Sequence, residues 1–412
     1  MIVKMKLLVI NSDCLQVNSS ANLCHLAYIR GMKEAGHDIT LLSSDGGDYR
    51  KDPGMVIPEG IKRFSYSGMS LYEKLSPQNN KASRTPVAEA EKKKYTSKQR
   101  GFVSHVYGKA KKLILRLYGV HGIYGSFARK ARIFRSEEEF DLMVSLSTPP
   151  SSHLLAYRLL RSGHVKAKRW IQIWEDPWYS DAYGFNNKQR IFAEEKRLLS
   201  FAQRVCYVSP ITMENQKRLF PESATKMFWE PLPSYYEADS SLSEKSDHKL
   251  FGYFGAYYPA ARQLKPFYEA AKQTGIFVNV CGDPAGLFPS TEKICIYPRM
   301  QLEELRPFEA KTNVLVFLCN RKGGQIPGKI YQYAATDKTV LFILDGTEEE
   351  KKILHDFFEP YHRFVFCENN VEDIAAAIER IQRGELGNVI NRPLTDFDPV
   401  KIVNRILEEG MK

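Results

Sequence analysis

The segments KLLVINS at residues 6–12, NLCHLAYIRGMKEA at residues 22–35 and HDITLLSS at residues 37–44 decide the fold. The first and third are apolar runs of strand length, and the second repeats apolar residues at three- and four-residue steps until Gly36. A strand, a helix and a second strand in this order make a βαβ unit, whose two strands are parallel. The beginning of the chain therefore predicts an α/β protein.

The same alternation continues almost to the end of the chain. Further strands are predicted at residues 140–147, 169–175, 204–209, 250–255, 277–281, 294–297, 314–319, 339–344 and 364–367. Helices are predicted at residues 152–161, 189–201, 262–273, 302–309, 328–335, 348–358, 371–383 and 400–409. This pattern predicts two doubly wound, Rossmann-like domains, and the carboxyl ends of their strands are expected to face a cleft.

The domain boundaries follow from changes in composition. Residues 235–249 are acidic, rich in serine and free of apolar periodicity, which is typical of a linker. We expect a first domain over residues 1–235 with an insertion at about 45–135, a linker over 236–249 and a second domain over 250–390. Residues 391–412 should form a C-terminal helix that packs back on the first domain.

Composition restricts the class of protein. The chain has 412 residues, 43% hydrophobic and 26% charged, and no run of about 18 apolar residues that would span a membrane. Its first twelve residues have no signal-peptide cleavage site, so we expect a cytoplasmic protein. The seven cysteines are odd in number and far apart, which indicates reduced thiols rather than a disulfide framework or a zinc site.

The positive charge is concentrated in one segment. Residues 81–135 contain 15 Lys or Arg and two acids, a net charge of +13 against +11 for the whole chain. Within it, apolar residues at 102, 106, 110, 113 and 117 predict an amphipathic helix, with Lys109, Lys111, Lys112 and Arg116 mostly on its other face. Such a segment suits an anionic membrane surface. A solvated charged face is the plainer alternative, and nucleic-acid binding is disfavoured because no nucleic-acid module appears.

A glycine-containing turn is the most informative local feature. NRKGGQIPGKIYQYA, residues 320–334, leaves a predicted strand and enters a predicted helix. Free backbone N–H groups and the helix dipole would favour a diphosphate there, with Lys329 adding a positive charge. The turn fits neither usual phosphate fingerprint, so an ordinary β-to-α turn remains the alternative.

Several segments together carry a resemblance to a known family. Residues 326–341 resemble the proline-(glycine or serine)-lysine-x-x-glutamate-tyrosine segment of retaining GT-B nucleotide-sugar glycosyltransferases, in the family-four (group 1) enzymes that build bacterial surface polysaccharides. Residues 140–156, 173–178, 204–233 and 251–262 resemble further segments of that family, in the same order. Residues 45–135 have no counterpart in the resemblance.

The resemblance implies a donor site in the second domain. Gly328, Lys329, Arg262 and Arg299 would contact the diphosphate or nucleotide, and Arg262 and Lys329 would stabilise the leaving group. Two positions depart from the usual family pattern. Gln332 stands where the family has a ribose-binding glutamate, and Gln325, seven residues earlier, lacks the carboxylate that many members carry.

The resemblance also implies an acceptor site in the first domain. Asp176, after the predicted strand 169–175, would position or deprotonate an acceptor hydroxyl, and His153 is the available histidine. Asp176 could instead cap a turn while Trp170, Trp174 and Trp178 pack in the core, and His153 could be merely solvated. Adjacent strand residues point in opposite directions, so only one of Glu175 and Asp176 should face the site.

The expected partners follow from that family. The donor would be a UDP-sugar, with a GDP-sugar as the alternative, and no other cofactor and no metal ion is expected. The acceptor would be a prenyl-diphosphate-linked or polysaccharide chain at the inner face of the plasma membrane, where residues 81–135 would hold the enzyme. A non-catalytic sugar- or membrane-binding scaffold and a nucleotide-sugar epimerase remain the alternatives.

Overall fold

The computed structural model describes residues 4–47, 49–70, 73, 119–181, 188–238, 249–322 and 324–412. The chain divides into two compact units, one of Met1–Pro231 with Pro399–Lys412 and the other of Leu232–Asp398. The predicted basic helix over residues 102–117 lies outside the described residues, as do most of the predicted linker and Gly323.

The described part of the first unit contains a parallel sheet in the order β3-β2-β1-β4-β5-β6-β7. Its strands are β1 Lys6–Asn11, β2 Asp38–Ser44, β3 Lys62–Tyr66, β4 Glu139–Ser147, β5 Lys166–Trp174, β6 Arg204–Tyr207 and β7 Met227–Trp229. Its helices before Pro231 are α1 Ser20–Glu34, α2 Gly125–Lys130, α3 Ser151–Arg161, α4 Lys188–Phe201 and α5 Pro210–Leu219. The strand order reverses between β1 and β4, which makes this pair the switch point where such sheets bind ligands.

The second unit repeats this architecture. Its parallel sheet has the order β10-β9-β8-β11-β12-β13. The strands are β8 Leu250–Phe254, β9 Phe277–Cys281, β10 Ile294–Tyr297, β11 Val314–Leu318, β12 Thr339–Leu344 and β13 Phe364–Glu368. The helices are α6 Lys265–Thr274, α7 Leu302–Lys311, α8 Lys329–Ala334, α9 Glu348–Phe358 and α10 Val371–Arg383. Here the order reverses between β8 and β11.

The last helix, α11 Pro399–Met411, belongs to the first unit and packs against α1. Gly31 of α1 permits the approach, because a Cβ at this position would lie 2.3 Å from the backbone oxygen of Pro399. Arg405 also forms an ion pair of 2.7 Å with Glu230. The chain therefore crosses to the second unit after Pro231 and returns at Pro399.

The predicted strands agree with the observed ones to within three residues at their ends, because parallel strands covered on both faces are continuous apolar runs. Leu7, Leu8, Val9 and Ile10 of β1, for example, have no exposed surface. The sequence analysis did not predict β3, β7, α2 or α5 as separate elements. One predicted helix is also displaced: α6 begins at Lys265, so Arg262 lies in the turn before the helix rather than in its first turn.

Candidate functional site

Arg262 lies at the switch point of the second sheet. Its Nε donates to Asn320 Oδ1 at 2.9 Å, and its Nη1 donates to the backbone oxygen of Ala256 at 3.0 Å. Ala256 follows β8 and Asn320 follows β11, so one guanidinium joins the carboxyl ends of the two strands between which the order reverses. The side chain is only partly buried. A planar guanidinium in this position can present N–H groups to an anion.

The loop from β11 to α8 is tied to the same network. Asn320 Nδ2 donates to the backbone oxygen of Gln325 at 3.1 Å. Gln325 and Gln332 are both buried, and Gln332 Oε1 has no hydrogen-bond partner among the described residues. The amide of Gln332 is therefore held inside the unit with an unused acceptor, and it does not project into solvent.

Lys329 is the first residue of α8, and Gly328 immediately precedes the helix in right-handed helical geometry (φ −59°, ψ −17°). The Lys329 ammonium forms an ion pair of 2.8 Å with Glu309 Oε1 of α7. Glu309 Oε2 accepts a hydrogen bond of 2.6 Å from the Tyr236 hydroxyl. The predicted phosphate-binding lysine thus already has an anionic partner within its own unit.

Arg299 lies in the exposed segment between β10 and α7. Its role in donor binding stays a prediction.

Asp176 and Glu175 follow β5 in the first unit and differ in environment. Glu175 is buried and Asp176 is partly exposed, with Thr148 Oγ1 donating to Asp176 Oδ2 at 3.3 Å. Burial, with the nearby negative charge of Asp176, raises the pKa of Glu175 well above its usual value. Asp176 is therefore the more accessible of the two carboxyl groups.

Glu175 has a buried histidine beside it. His25 of α1 has no exposed surface, and its Nε2 lies 3.3 Å from Glu175 Oε1. Burial lowers the pKa of His25 to about 4, although the carboxylate of Asp13 opposes the shift. His25 could not be selected from the sequence, because its position inside an amphipathic helix is also that of an ordinary core residue.

Glu195 of α4 supports the loop that carries Asp176. Its carboxylate accepts the backbone N–H of Tyr179 at 2.6 Å and that of Trp178 at 3.4 Å. Burial raises the pKa of Glu195 to about 7, while these two backbone donors act in the opposite direction. Sequence analysis missed this residue too, because nothing in the pattern of α4 shows which carboxylate points inward.

The structure places His153 in the core rather than at the sheet edge where the sequence analysis expected it. Its ring has no exposed surface, lies 4.3 Å from the Trp174 ring, and its Nδ1 is 2.7 Å from Ser145 Oγ. Burial lowers the pKa of His153 well below its usual value. A neutral, enclosed imidazole is a packing residue in this structure. Trp170, Trp174 and Trp178 are also buried, so these tryptophans pack in the core.

The described end of the basic insertion lies on the surface of the first unit. Arg129, Lys130, Arg132 and Arg135 are exposed, and Ile133 among them is 64% exposed. Phe127 and Phe134 point the other way, into the core. No helix in the described part of the chain has the length and apolar character needed to cross a bilayer.

A surface cavity of about 420 Å³ lies elsewhere on the first unit. Arg169, Arg204, Lys226 and Lys412 contribute cations to its lining. Arg204 begins β6 and Lys226 directly precedes β7, so the cavity is at the amino ends of these strands, opposite to Asp176. Lys226 donates to the backbone oxygen of Ser200, and Arg204 and Lys412 both pair with Glu409. Three of the four cations thus have structural partners, and the cavity is not the candidate site.

Comparison with solved structures identifies the fold. No protein-family model and no curated protein matches the chain. Sucrose-phosphate synthase from Thermosynechococcus elongatus matches with a TM-score of 0.63, 11% identity and 98% coverage of both chains. Arabidopsis thaliana UGT89C1, in complex with UDP-L-rhamnose, matches with a TM-score of 0.56, 11% identity and 100% coverage of both. The lipopolysaccharide outer core galactosyltransferase WaaB matches with a TM-score of 0.55 and 11% identity, over 98% of this chain and 99% of that one. The chain therefore has the two-domain GT-B fold.

Proposed function

We propose that the protein is a glycosyltransferase that moves a sugar from a nucleotide-sugar donor to a lipid-linked or polysaccharide acceptor in bacterial cell-surface glycan synthesis. The observation that carries the proposal is Arg262, which joins the ends of β8 and β11 at the switch point of the second sheet. Lys329 begins the helix that follows β11 and adds a second cation. Two cations where such sheets bind ligands suit the diphosphate of a sugar nucleotide.

The chemistry gives these cations a role. The bond from the anomeric carbon to the diphosphate oxygen breaks, a bond to the acceptor oxygen forms, and the acceptor hydroxyl loses its proton. Positive charge develops on the sugar while negative charge gathers on the departing diphosphate. Arg262 and Lys329 would stabilise that negative charge most strongly in the transition state, which accelerates the reaction.

Asp176 is the proposed acceptor-side residue. It is the partly exposed carboxyl group at the end of β5, while Glu175 is enclosed beside His25. A carboxylate in this position can orient an acceptor hydroxyl and take its proton. We expect retention of the anomeric configuration, which the resemblance of residues 326–341 to family four implies.

The donor is proposed to be a UDP-sugar, with a GDP-sugar as the alternative, and the protein's own cations would serve where other enzymes use a metal ion. The UDP-L-rhamnose complex of a protein with the same fold supports a UDP-sugar. The lipopolysaccharide galactosyltransferase of the same fold supports a bacterial surface glycan as the product.

Turnover tests the proposal. Purified protein is incubated with UDP-, GDP- and ADP-sugars, with and without a prenyl-diphosphate acceptor, and products are identified by mass spectrometry and NMR. Transfer with an unchanged anomeric configuration is expected. No turnover with any donor would indicate a binding scaffold, and epimerisation of the free sugar nucleotide would indicate an epimerase.

Lys329→Ala tests the cation separately from turnover. Removal of the ammonium should abolish measurable UDP binding in calorimetry, because a charge-assisted contact to the diphosphate is lost. Wild-type affinity for UDP in this variant would remove Lys329 from the diphosphate site.

Attachment to the inner face of the plasma membrane is the last part of the proposal. The exposed cations Arg129, Lys130, Arg132 and Arg135 surround the exposed Ile133, and each cation near an anionic leaflet contributes about 1 kcal/mol. Replacement of Lys109, Lys111, Lys112 and Arg116 by glutamine should release the protein from vesicles that contain phosphatidylglycerol. Unchanged co-sedimentation would argue against attachment through this segment.

A further inference from the structure

Lys329 is the proposed diphosphate lysine, yet its charge is already matched by a carboxylate. The Nζ–Oε1 distance to Glu309 is 2.8 Å, and the two side chains are only 21% and 12% exposed. The Lys329 ammonium also lies 5.8 Å from the ring centroids of both Tyr236 and Tyr333. A carboxylate and two aromatic rings therefore lie close to this ammonium.

Glu309 is itself held from a second direction. The Tyr236 hydroxyl donates to Glu309 Oε2 at 2.6 Å, so both carboxylate oxygens have a partner. Burial, with the charge of Glu309, raises the pKa of Tyr236 well above its usual value. The hydroxyl therefore keeps its proton at any physiological pH and remains a donor to the carboxylate.

The pair has a consequence for anion binding. A diphosphate that approaches Lys329 meets a cation whose charge is matched by a neighbouring anion. Two anions near one partly buried ammonium repel each other, and the interaction is stronger here than on an open surface. An incoming diphosphate must therefore either displace the carboxylate or accept a weaker contact.

We propose that Glu309 is a built-in competitor of the donor diphosphate for Lys329, and that the Tyr236 hydroxyl holds Glu309 in this competing position. Glu309 acts through Lys329 and is a positioning residue that sets donor affinity. This inference rests on the proposed function, because it needs Lys329 to contact the diphosphate. It assigns roles to Glu309 and Tyr236, 20 and 93 residues away from Lys329 in the sequence.

Calorimetry with UDP, and with inorganic pyrophosphate as a probe without the base, tests the proposal at fixed salt concentration. Glu309→Gln keeps the side-chain size and removes the competing charge, so both ligands should bind about fivefold more tightly. Tyr236→Phe removes the hydroxyl that holds Glu309 beside Lys329, so UDP should bind more tightly than to the wild type, by less than in Glu309→Gln. Both variants should thus raise the affinity, whereas loss of a merely structural contact would lower it or leave it unchanged.

A matched control and a double variant complete the experiment. Glu303→Gln removes an exposed charge from the same helix, α7, and should leave UDP affinity unchanged because the solvent screens it. Lys329→Ala combined with Glu309→Gln should bind like Lys329→Ala alone, because Glu309 acts only through the lysine. Tyr236→Phe in the Glu309→Gln background should likewise have no further effect on UDP binding, because Tyr236 acts only through the carboxylate.

The outcomes separate this inference from the proposed function. Wild-type UDP affinity in Lys329→Ala would overturn both. If Lys329→Ala weakens binding while Glu309→Gln binds UDP as tightly as the wild type or more weakly, Glu309 is no competitor and only the inference fails. Should Glu309→Gln unfold in thermal melts, Tyr236→Phe decides alone: tighter UDP binding supports the proposal, and unchanged or weaker binding overturns it.

Discussion

The two sheets share the strand order 3-2-1-4-5-6, but the candidate residues at the carboxyl ends of their strands are acidic in the first unit and basic in the second. In the first unit Asp13 follows β1, and Glu175 and Asp176 follow β5. In the second unit Arg262 joins the ends of β8 and β11, and Lys329 begins the next helix. The difference shows that topology determines where a ligand can bind, while the side chains at that place determine which ligand binds.

The buried carboxyl groups of the two units also differ in how they are stabilised. Burial in the first unit raises the pKa of both Glu175 and Glu195. In the second unit Glu309 pairs with a lysine. Burial in the first unit thus favours the neutral form of these two carboxyl groups, while Asp176 beside them is more accessible. In the second unit the carboxylate is paired with an ammonium, for which we propose that the donor diphosphate competes.

Arg262→Ala should produce the largest effect, because it removes one of the two candidate cations of the second unit. We expect kcat/KM for the donor to fall about a hundredfold to a thousandfold, since the guanidinium would stabilise the leaving diphosphate. Arg262→Lys keeps the charge but loses the planar guanidinium, so its kcat/KM should lie between those of the wild type and Arg262→Ala. Lys272→Ala, an exposed cation of α6, is the control, and a normal rate in Arg262→Ala would exclude the arginine from the site.

Glu195→Gln tests, through the free energy of unfolding, whether burial raises the pKa of this carboxyl group in the first unit. The pKa of Glu195 is about 7 in the folded protein and about 4.5 unfolded, so its contribution is full below pH 4.5 and is lost as pH rises to 7. That loss amounts to roughly 3 kcal/mol and should be absent in the glutamine variant. Urea unfolding at pH 5 and pH 8 measures it.

Tryptophan fluorescence makes that experiment specific, because all four tryptophans lie in the first unit. They are Trp170, Trp174, Trp178 and Trp229. Glu214→Gln, on the surface of α5, is the control and should keep the wild-type difference between the two pH values. An equal pH difference in wild type and Glu195→Gln would mean that Glu195 titrates normally.

Asp176→Asn removes the accessible carboxylate of the first unit and should have the smallest of the three effects. We expect kcat to fall about tenfold to a hundredfold, because the amide can still accept a hydrogen bond but cannot take a proton. UDP affinity in calorimetry should not change, in contrast to Arg262→Ala. Asp38→Asn, an exposed residue of β2, serves as control. Altered UDP binding in Asp176→Asn would break the assignment of acceptor and donor to different units.

The strands that the sequence analysis missed have physical reasons. β3 reads Lys62-Arg-Phe-Ser-Tyr66 and lies at the edge of its sheet, where charged and exposed residues are tolerated. β7 has only three residues, Met227–Trp229, which is too short for a recognisable run. The central strands were predicted because burial on both faces requires a continuous apolar sequence.

The candidate site was only partly predictable. Arg262, Lys329 and Asp176 could be selected because their segments resemble those of a known family and follow strands, and parallel strands bring their carboxyl ends to one edge. The choice of His153 had the same basis, but its ring turns inward against Trp174 and Ser145. Position at the start of a helix does not specify the direction of a side chain.

The amino-acid sequence by itself determined the α/β class, the two sheets and the glycine-containing turn before α8, because these depend on local periodicity. Only the tertiary structure decided which charges meet. Glu309 reaches Lys329, Tyr236 reaches Glu309, and His25 reaches Glu175 across distances in the chain that no local pattern spans. The reason is physical: contacts between separate elements are set by how helices pack on a sheet, and the energy of each pair depends on the burial that this packing creates.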